Sequence, residues 1–373
     1  MHADDHLGAW YRHVFERLPA VELLDAHTHV GENDPDGFRC SPEELIAALE
    51  PVDSRAVVFP MHEPDGYREA NDRVIAAAAD SAGRLTPFCR VNPRDGARGE
   101  LERCLGAGAK GLKLHPRAEE FSMGEPEVRG LFEVASEARV PVLVHAGRGI
   151  PALGEYALAL ATEFPRVPLI LAHAGVSDLS WLSGQARRHA NLLFDTAWMS
   201  PPDLLALFAL VPPGQILYAT DMPYGSPTQT GIMTFRCAIQ AGLAPEAMKA
   251  VAGAQLARLL AGEEPLDLGP APGGPDRGGD PLLLRIVFYL AWACALTSQG
   301  LDALEMMDLA RLACVVSDEA PQADLCRSIS GLVDLAAAAP LGEARRDRFV
   351  RFQLLASAGT LAATPDAGAP GGT

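Results

Sequence analysis

Six of the ten histidines in this 373-residue chain stand at, or just past, the ends of short apolar runs. The first run, Leu23-Leu24-Asp25-Ala26-His27-Thr28-His29, closes on two imidazoles one residue apart. In an extended strand, side chains at i and i+2 point to the same side, so His27 and His29 project together. Two neutral imidazoles on one side are half of a zinc or manganese site. Lys113 and His115 repeat the i, i+2 spacing in Gly111-Leu112-Lys113-Leu114-His115-Pro116. His145 and His173 end two further runs, Asp221 ends the last, and His62 lies just beyond the second. Histidines placed for packing would not collect at such positions. The pattern predicts a metal centre or an acid–base cluster.

The elements that must position these residues alternate. Strand-like runs are expected at 21–26, 55–60, 85–91, 111–115, 141–145, 167–173, 191–196 and 216–221. Helix-like segments follow them, among them 41–50, 67–83, 97–108, 126–139, 151–164, 179–190, 201–210 and 230–242. Eight βα units in about 240 residues imply parallel strands and a closed (β/α)8 TIM barrel, whose strand C-termini converge on one face. An open doubly wound sheet is the competitor, but no GxGxxG turn follows the first strand. The expected organisation is an N-terminal leader and helix (1–20), the barrel (21–262), a Pro/Gly-rich flexible linker (263–281), an all-α extension (282–358) and a disordered tail (359–373). The apolar run 286–296 is shorter than the ~20 residues of a membrane span and reads as a buried or dimer-interface helix.

The chain is 48% hydrophobic, with a net charge of −17. With no compensating basic block, nucleic acid and anionic membrane surfaces are excluded as expected partners. A small anionic substrate is still compatible, because a local arginine acts against the global field. The seven cysteines are scattered without a CxxC, so neither a disulfide framework nor a cysteine zinc site is expected. The acidic start is not a signal peptide, and a reducing, cytoplasmic setting is expected.

Five motifs occur in order: His27-Thr28-His29, Gly111-Leu112-Lys113-Leu114-His115-Pro116, Val144-His145-Ala146-Gly147, Leu171-Ala172-His173-Ala174-Gly175 and Ala219-Thr220-Asp221-Met222-Pro223. Together they resemble the amidohydrolase superfamily, in its amidohydrolase-related branch, over roughly residues 21–262; the helix at Ala254-Gln255-Leu256-Ala257-Arg258-Leu259 fits too. The resemblance implies one or two divalent metals, zinc or manganese. It places His27, His29, His145 and Asp221 on the first. In two-metal relatives His145 and His173 hold the second, and a carboxylated lysine, here Lys113, bridges both. Lys113 could equally act as a charge on a substrate carbonyl or carboxylate.

The expected chemistry follows. Asp221 takes a proton from activated water and passes it to the leaving group, while His173, if not a ligand, orients the water or stabilises an oxyanion. His115, Arg117 and Arg148 are candidates for substrate binding, the arginines as carboxylate clamps. Trp198 and Tyr224 are candidates to wall an apolar pocket, and Asp25 to support a ligand. The expectation is a metal-dependent hydrolase of an amide, ester or lactone in a small molecule. The alternative is a metal-dependent decarboxylase of an unsaturated or aromatic acid. A non-catalytic barrel would lack a ligand, and none is missing. The extension is expected to serve homo-oligomerisation or to cover a neighbour's site.

Overall fold

The computed structural model describes residues 3–35, 37–274 and 279–370. Its strands are β1 (Leu23–Val30), β2 (Ser54–Pro60), β3 (Leu85–Pro87), β4 (Cys89–Arg90), β5 (Leu112–Leu114), β6 (Val142–Val144), β7 (Leu169–Leu171), β8 (Leu192–Asp195) and β9 (Ile216–Leu217). All pair in parallel, in the orders β1-β2-β3 and β4 through β9. The run expected as one strand over 85–91 is divided at Phe88. The Phe88 N–H donates back to Val58 and the Cys89 N–H donates forward to Gly111, so the two pieces still form one stave. Closure comes from Ala26 N–H to Tyr218 O (2.9 Å), Asp221 N–H to His27 O (2.8 Å) and His29 N–H to Met222 O (2.7 Å). The result is the TIM barrel that the alternation predicts.

The barrel is packed solid. Leu24, Ala26, Phe59, Phe88, Leu143, Ile170, Leu193 and Leu217 fill its interior as one apolar cluster. Gly111 admits the Phe88 ring, since a Cβ there would lie 2.4 Å from it. The outer helices start at hydroxyl caps. Ser41 accepts from the Glu44 N–H while Glu44 accepts from the Ser41 N–H, and Ser200 and Ser226 cap their helices likewise, which satisfies N–H groups left over at a helix start.

One irregularity matters for function. From Asp25 to Thr28, β1 takes three steps while β2 takes two, Ala56 to Val58. This is a one-residue bulge. Leu24 and Ala26 line the interior on one parity; the extra residue shifts that parity, so that His27 and His29 face inward above them. The Asp25 carboxylate accepts the His27 N–H displaced from the ladder (2.9 Å), and it also accepts from Thr220 N–H and Oγ1. It therefore ties the first strand to the last, beside the His pair.

The extension is helical as expected, with helices Pro281–Gln299, Leu304–Ala313, Ala323–Ala338 and Phe349–Ala363. Pro281–Gln299 is long and apolar enough to cross a membrane by length and composition. It buries Leu283, Ile286, Leu290 and Ala293 against its neighbours. The last helix packs against Pro281–Gln299, Ala323–Ala338 and the barrel helix Pro227–Gln240.

Two expectations, for the tail and the linker, are corrected. The tail is not disordered from 359: the helix continues to Ala363, and buried Arg236 donates to Thr364 Oγ1, Thr364 O and Gly368 O. Its low-complexity composition conceals this because the anchor lies on another element. The N-terminal helix forms as expected: Asp4–Phe15 packs on Pro227–Gln240, and the Ala3 N–H donates to Gln353. The first part of the linker is held down, with Leu266 N–H bonded to Gln255. Residues 1–2 of the leader, 275–278 of the linker and 371–373 of the tail lie outside the described residues. Arg236→Ala should cost about 2–4 kcal/mol by leaving buried acceptors unpaired. Denaturant melts should show the loss, and limited proteolysis should show early cleavage near 364.

Candidate metal centre

The site is built at the C-terminal rim. His27 and His29 come from the bulged strand, and Asp221 follows β9. His27 Nε2 and His29 Nε2 are 3.1 Å apart and lie 3.1 and 3.0 Å from Asp221 Oδ1. Atoms each about 2.1 Å from one cation, at right angles to each other, are separated by about 3.0 Å. With both Nε2 atoms unprotonated, three acceptor atoms this close repel one another unless a positive charge sits among them, so the trio fits a divalent ion.

The tautomers agree. His27 Nδ1 is 2.8 Å from Asp195 Oδ2 and His173 Nδ1 is 3.1 Å from Ala197 O. With the proton on Nδ1 in each ring, both Nε2 lone pairs are presented to the rim. Asp195 Oδ1 also accepts the backbone N–H groups of His173 (2.8 Å) and Ala197 (3.0 Å). One buried carboxylate thus orients a ligand on the first strand and fixes the backbone at a second histidine. Sequence reasoning missed it; the available signal was an aspartate ending the apolar run Leu192-Leu193-Phe194.

His173 Nε2 lies 3.1 Å from His145 Nδ1, forming a second donor pair beside the first trio. His145 therefore stands with His173 rather than within the trio, where the resemblance placed it as a ligand. Gly147 makes room for the ring, since a Cβ there would lie 2.6 Å from His145 Nε2. His115 stacks face to face on His145, with centroids 3.8 Å apart. Lys113 is fully buried between these groups, with Nζ 3.1 Å from His27 Nε2 and 4.6 Å from the Phe59 ring centre.

Burial governs the protonation states. It drives the Lys113 amine down to about 7 and the His29 ring down to about 3. Burial also lowers His173, and it holds His115 and His145 well below the usual histidine range, with neighbouring cations adding to it. For His27, burial and Lys113 act downward, but the Asp221 and Asp195 carboxylates outweigh them and hold the ring above its ordinary value. Burial would raise Asp221, yet His27 and His29 hold it well below the usual carboxylate range. His173, Trp198 and Asp221 all have positive φ (57°, 56° and 61°). Such conformations cost about 1–3 kcal/mol each and concentrate at functional sites.

The remaining candidates are placed as follows. Tyr224 meets His29 edge-on (centroids 5.5 Å apart) and donates to Asp34. Trp198 is 38% exposed and packs against Phe349 and Phe352 of the extension. Arg117 and Arg148 are exposed on the loops after β5 and β6. Sequence reasoning also missed buried Arg90 at the end of β4. It donates to Glu119 (2.7 Å) and to Pro60 O, and Glu119 also accepts from Tyr67. His62 Nδ1 lies 3.8 Å from the same Glu119. Another acid–thiol group, Cys89, Glu100 and Cys104, does not fit a cation, because Arg103 already donates twice to Glu100. All seven cysteines are free thiols.

A parallel barrel with two histidines and an aspartate converging at its C-terminal rim defines a class of metal-dependent enzymes. The family model described as Amidohydrolase matches residues 25–254, and the chain belongs to this family. Its fold is shared by solved structures of low identity. A 2,6-dihydroxybenzoate decarboxylase complexed with 2,6-dihydroxybenzoate is 15% identical (TM-score 0.51; 65% of this chain, 100% of that one). A manganese-bound 5-carboxyvanillate decarboxylase from Novosphingobium aromaticivorans is 12% identical (TM-score 0.50; 65% and 97%). An uncharacterized TIM-barrel protein from Bordetella bronchiseptica is 15% identical (TM-score 0.52; 65% and 99%). No curated protein matches the chain in sequence.

Two outcomes are expected. Asp195→Asn, which keeps the shape but weakens the hold on His27, should reduce zinc or manganese affinity about 10–100-fold, measured by competition with a chromophoric chelator; His27→Ala should lose more. The second concerns pH. His29, His115, His145 and His173 stay neutral in the metal-free fold but take up protons in the unfolded chain below about pH 6.5. The unfolded state then binds more protons, so stability present above pH 6.5 is lost as pH falls. His27 and Asp25, both held up, oppose this as two groups against four. Thermal melts of metal-free protein should show Tm falling steadily from pH 7.5 to 5.

Proposed function

We propose that this protein is a metal-dependent hydrolase of small molecules, cleaving an amide, ester or lactone bond. The observation that carries the reading is the pair of adjacent donor sets, His27/His29/Asp221 and His145/His173, with Lys113 buried at their junction. His27, His29 and Asp221 would hold one divalent ion, zinc or manganese, and His145 with His173 a second. A divalent cation held there lowers the pKa of water toward 7 and polarises a carbonyl.

The chain's own residues do the rest. Asp221 is held ionised by the two imidazoles, so it accepts a proton from the attacking water and returns it to the leaving group. Lys113 titrates near neutrality and has two available roles. Neutral, its amine can take up CO2 as a carbamate that bridges the two donor sets; charged, it stabilises a developing oxyanion. Tyr224 and Phe59 pack against His29, shielding it from bulk water. Arg117 and Arg148, exposed on the loops after β5 and β6, are the proposed partners of a substrate carboxylate.

Decarboxylation of an aromatic acid is the second reading. It is favoured by two aromatic rings at the rim, Tyr224 against His29 and partly exposed Trp198 after β8. Product analysis separates the two: hydrolysis consumes water without gas, whereas decarboxylation releases CO2. Chelation should abolish turnover and added zinc or manganese restore it. Asp221→Asn should lower kcat by about 10²-fold or more. Lys113→Ala should halve the bound metal if the carbamate bridges two ions and leave stoichiometry unchanged if the site is mononuclear, as elemental analysis would report.

A further inference from the structure

The helical extension carries most of the apolar surface left open to solvent. Among the described residues, ten of the fourteen exposed large hydrophobic side chains lie between Leu282 and Leu341. Three of them, Leu284, Phe288 and Trp292, stand at i, i+4 and i+8 on helix Pro281–Gln299 and so form one stripe, about 12 Å long at 1.5 Å per residue. They are 54%, 58% and 48% exposed, and Phe288 and Trp292 meet edge to face with centroids 5.8 Å apart. Ala291 and Ala295, also exposed, lie beside them. At ~150–250 Å² per aromatic side chain, the stripe offers on the order of 400 Å² of apolar area. That is large for a surface facing water, and it is about half of what one partner buries in an interface of standard size, where a polar rim supplies the rest.

The opposite face, with Leu283, Ile286, Leu290 and Ala293, is packed into the extension's own core. Lipid could not surround this helix without dismantling that core. Helices that lie on a membrane surface are rich in cations, whereas Arg285 is the sole charged residue here, in a chain of net charge −17. Residues 275–278, Pro-Asp-Arg-Gly, hold no large apolar side chain that could cover the stripe.

Two properties of the face suit a second copy of the same chain. The first is size. Bulky residues at 284, 288 and 292 alternate with small ones at 291 and 295. With two such helices antiparallel about a two-fold axis between residues 291 and 292, Phe288 seats on the partner's Ala295 and Trp292 beside the partner's Ala291. The second is charge. The last turn of the helix has no basic residue, although its carbonyl ends carry partial negative charge, and Asp302 follows. Antiparallel pairing brings Arg285 of each copy toward that end of the other. Parallel pairing would set the two guanidinium groups side by side.

We propose that the protein is a homodimer joined through the exposed face of helix Pro281–Gln299, the two helices antiparallel about an axis near residues 291 and 292. The interface is independent of the metal-centre reading.

The test measures the mass of the full-length chain by sedimentation at micromolar concentrations, where the wild type should be a dimer. Phe288→Ser should weaken association about 30-fold or more, as befits an aromatic near the centre of an interface. Arg285→Glu should weaken it about threefold or more, a loss that shrinks at high salt. Both side chains are exposed, so circular dichroism should show the fold intact, and Trp292→Ser supplies a further variant. Ala291→Cys, beside the axis, should link two copies by a disulfide under mild oxidation, with the seven native thiols as the control. Leu284→Cys, whose two copies stand about 22 Å apart along antiparallel helices, should not. A monomeric wild type, a dimer unaffected by both Phe288→Ser and Trp292→Ser, or cross-linking through Leu284→Cys would overturn the proposal. So would a monomer that sediments with phosphatidylcholine vesicles and loses them on Phe288→Ser, which would assign the face to lipid.

Discussion

A single extra residue in β1 decides which way the chemistry faces. Strand alternation alone would carry the interior positions Leu24 and Ala26 onward to Thr28 and turn both imidazoles toward the helices. The bulge between Asp25 and Thr28 reverses that parity. Its cost is a backbone N–H withdrawn from the ladder, and the Asp25 carboxylate answers it. The same carboxylate accepts from Thr220, next to Asp221. The seam at which the barrel closes, the reversal of the His pair and the placing of the acid therefore share one buried group. Burial pushes that carboxyl up to about 7, which marks how much hydrogen bonding is needed to keep it in place.

Around this seam the rim works as a set of mutually oriented charges. Asp195, one strand away from the seam, carries the same logic, holding the His27 ring with one oxygen and the His173 backbone with the other. Lys113 is the under-compensated member: it is fully buried, its Nζ meets an imidazole nitrogen, and the charges of Asp221, Asp195 and Glu119 only partly offset its burial. A buried ammonium without a hydrogen-bonded anion is costly, and a shift toward neutrality relieves the cost. The rim is thus poised for added positive charge in the trio and for a change of state at the lysine.

Much of this was legible in the sequence, for physical reasons. Spacing at i, i+2 fixes a shared face, and eight alternating runs fix a parallel barrel whose strand ends converge. His27, His29, His145, His173, Lys113 and Asp221 could therefore be gathered without coordinates. The bulge could not, because it exists only in the register between two strands. Asp195 was hidden because, unlike Asp221, it falls in none of the five motifs. Arg90 and Glu119 pair across 29 residues, with nothing local to announce them. The end of the chain misled for a related reason. Its Ala, Gly and Pro content resembles a free tail, but a guanidinium on a helix 128 residues away fastens it.

The segment that packs on the loops after β1 and β8 also lies far downstream of them. Arg345 is 124 positions beyond Asp221. At ribosomal rates of about 5–20 residues per second, that interval is on the order of ten seconds. Every donor of both sets has left the tunnel before that segment is made. The nascent barrel thus passes through a stage with its donors complete and the packing of Phe349 on Phe38 and Trp198 still to form.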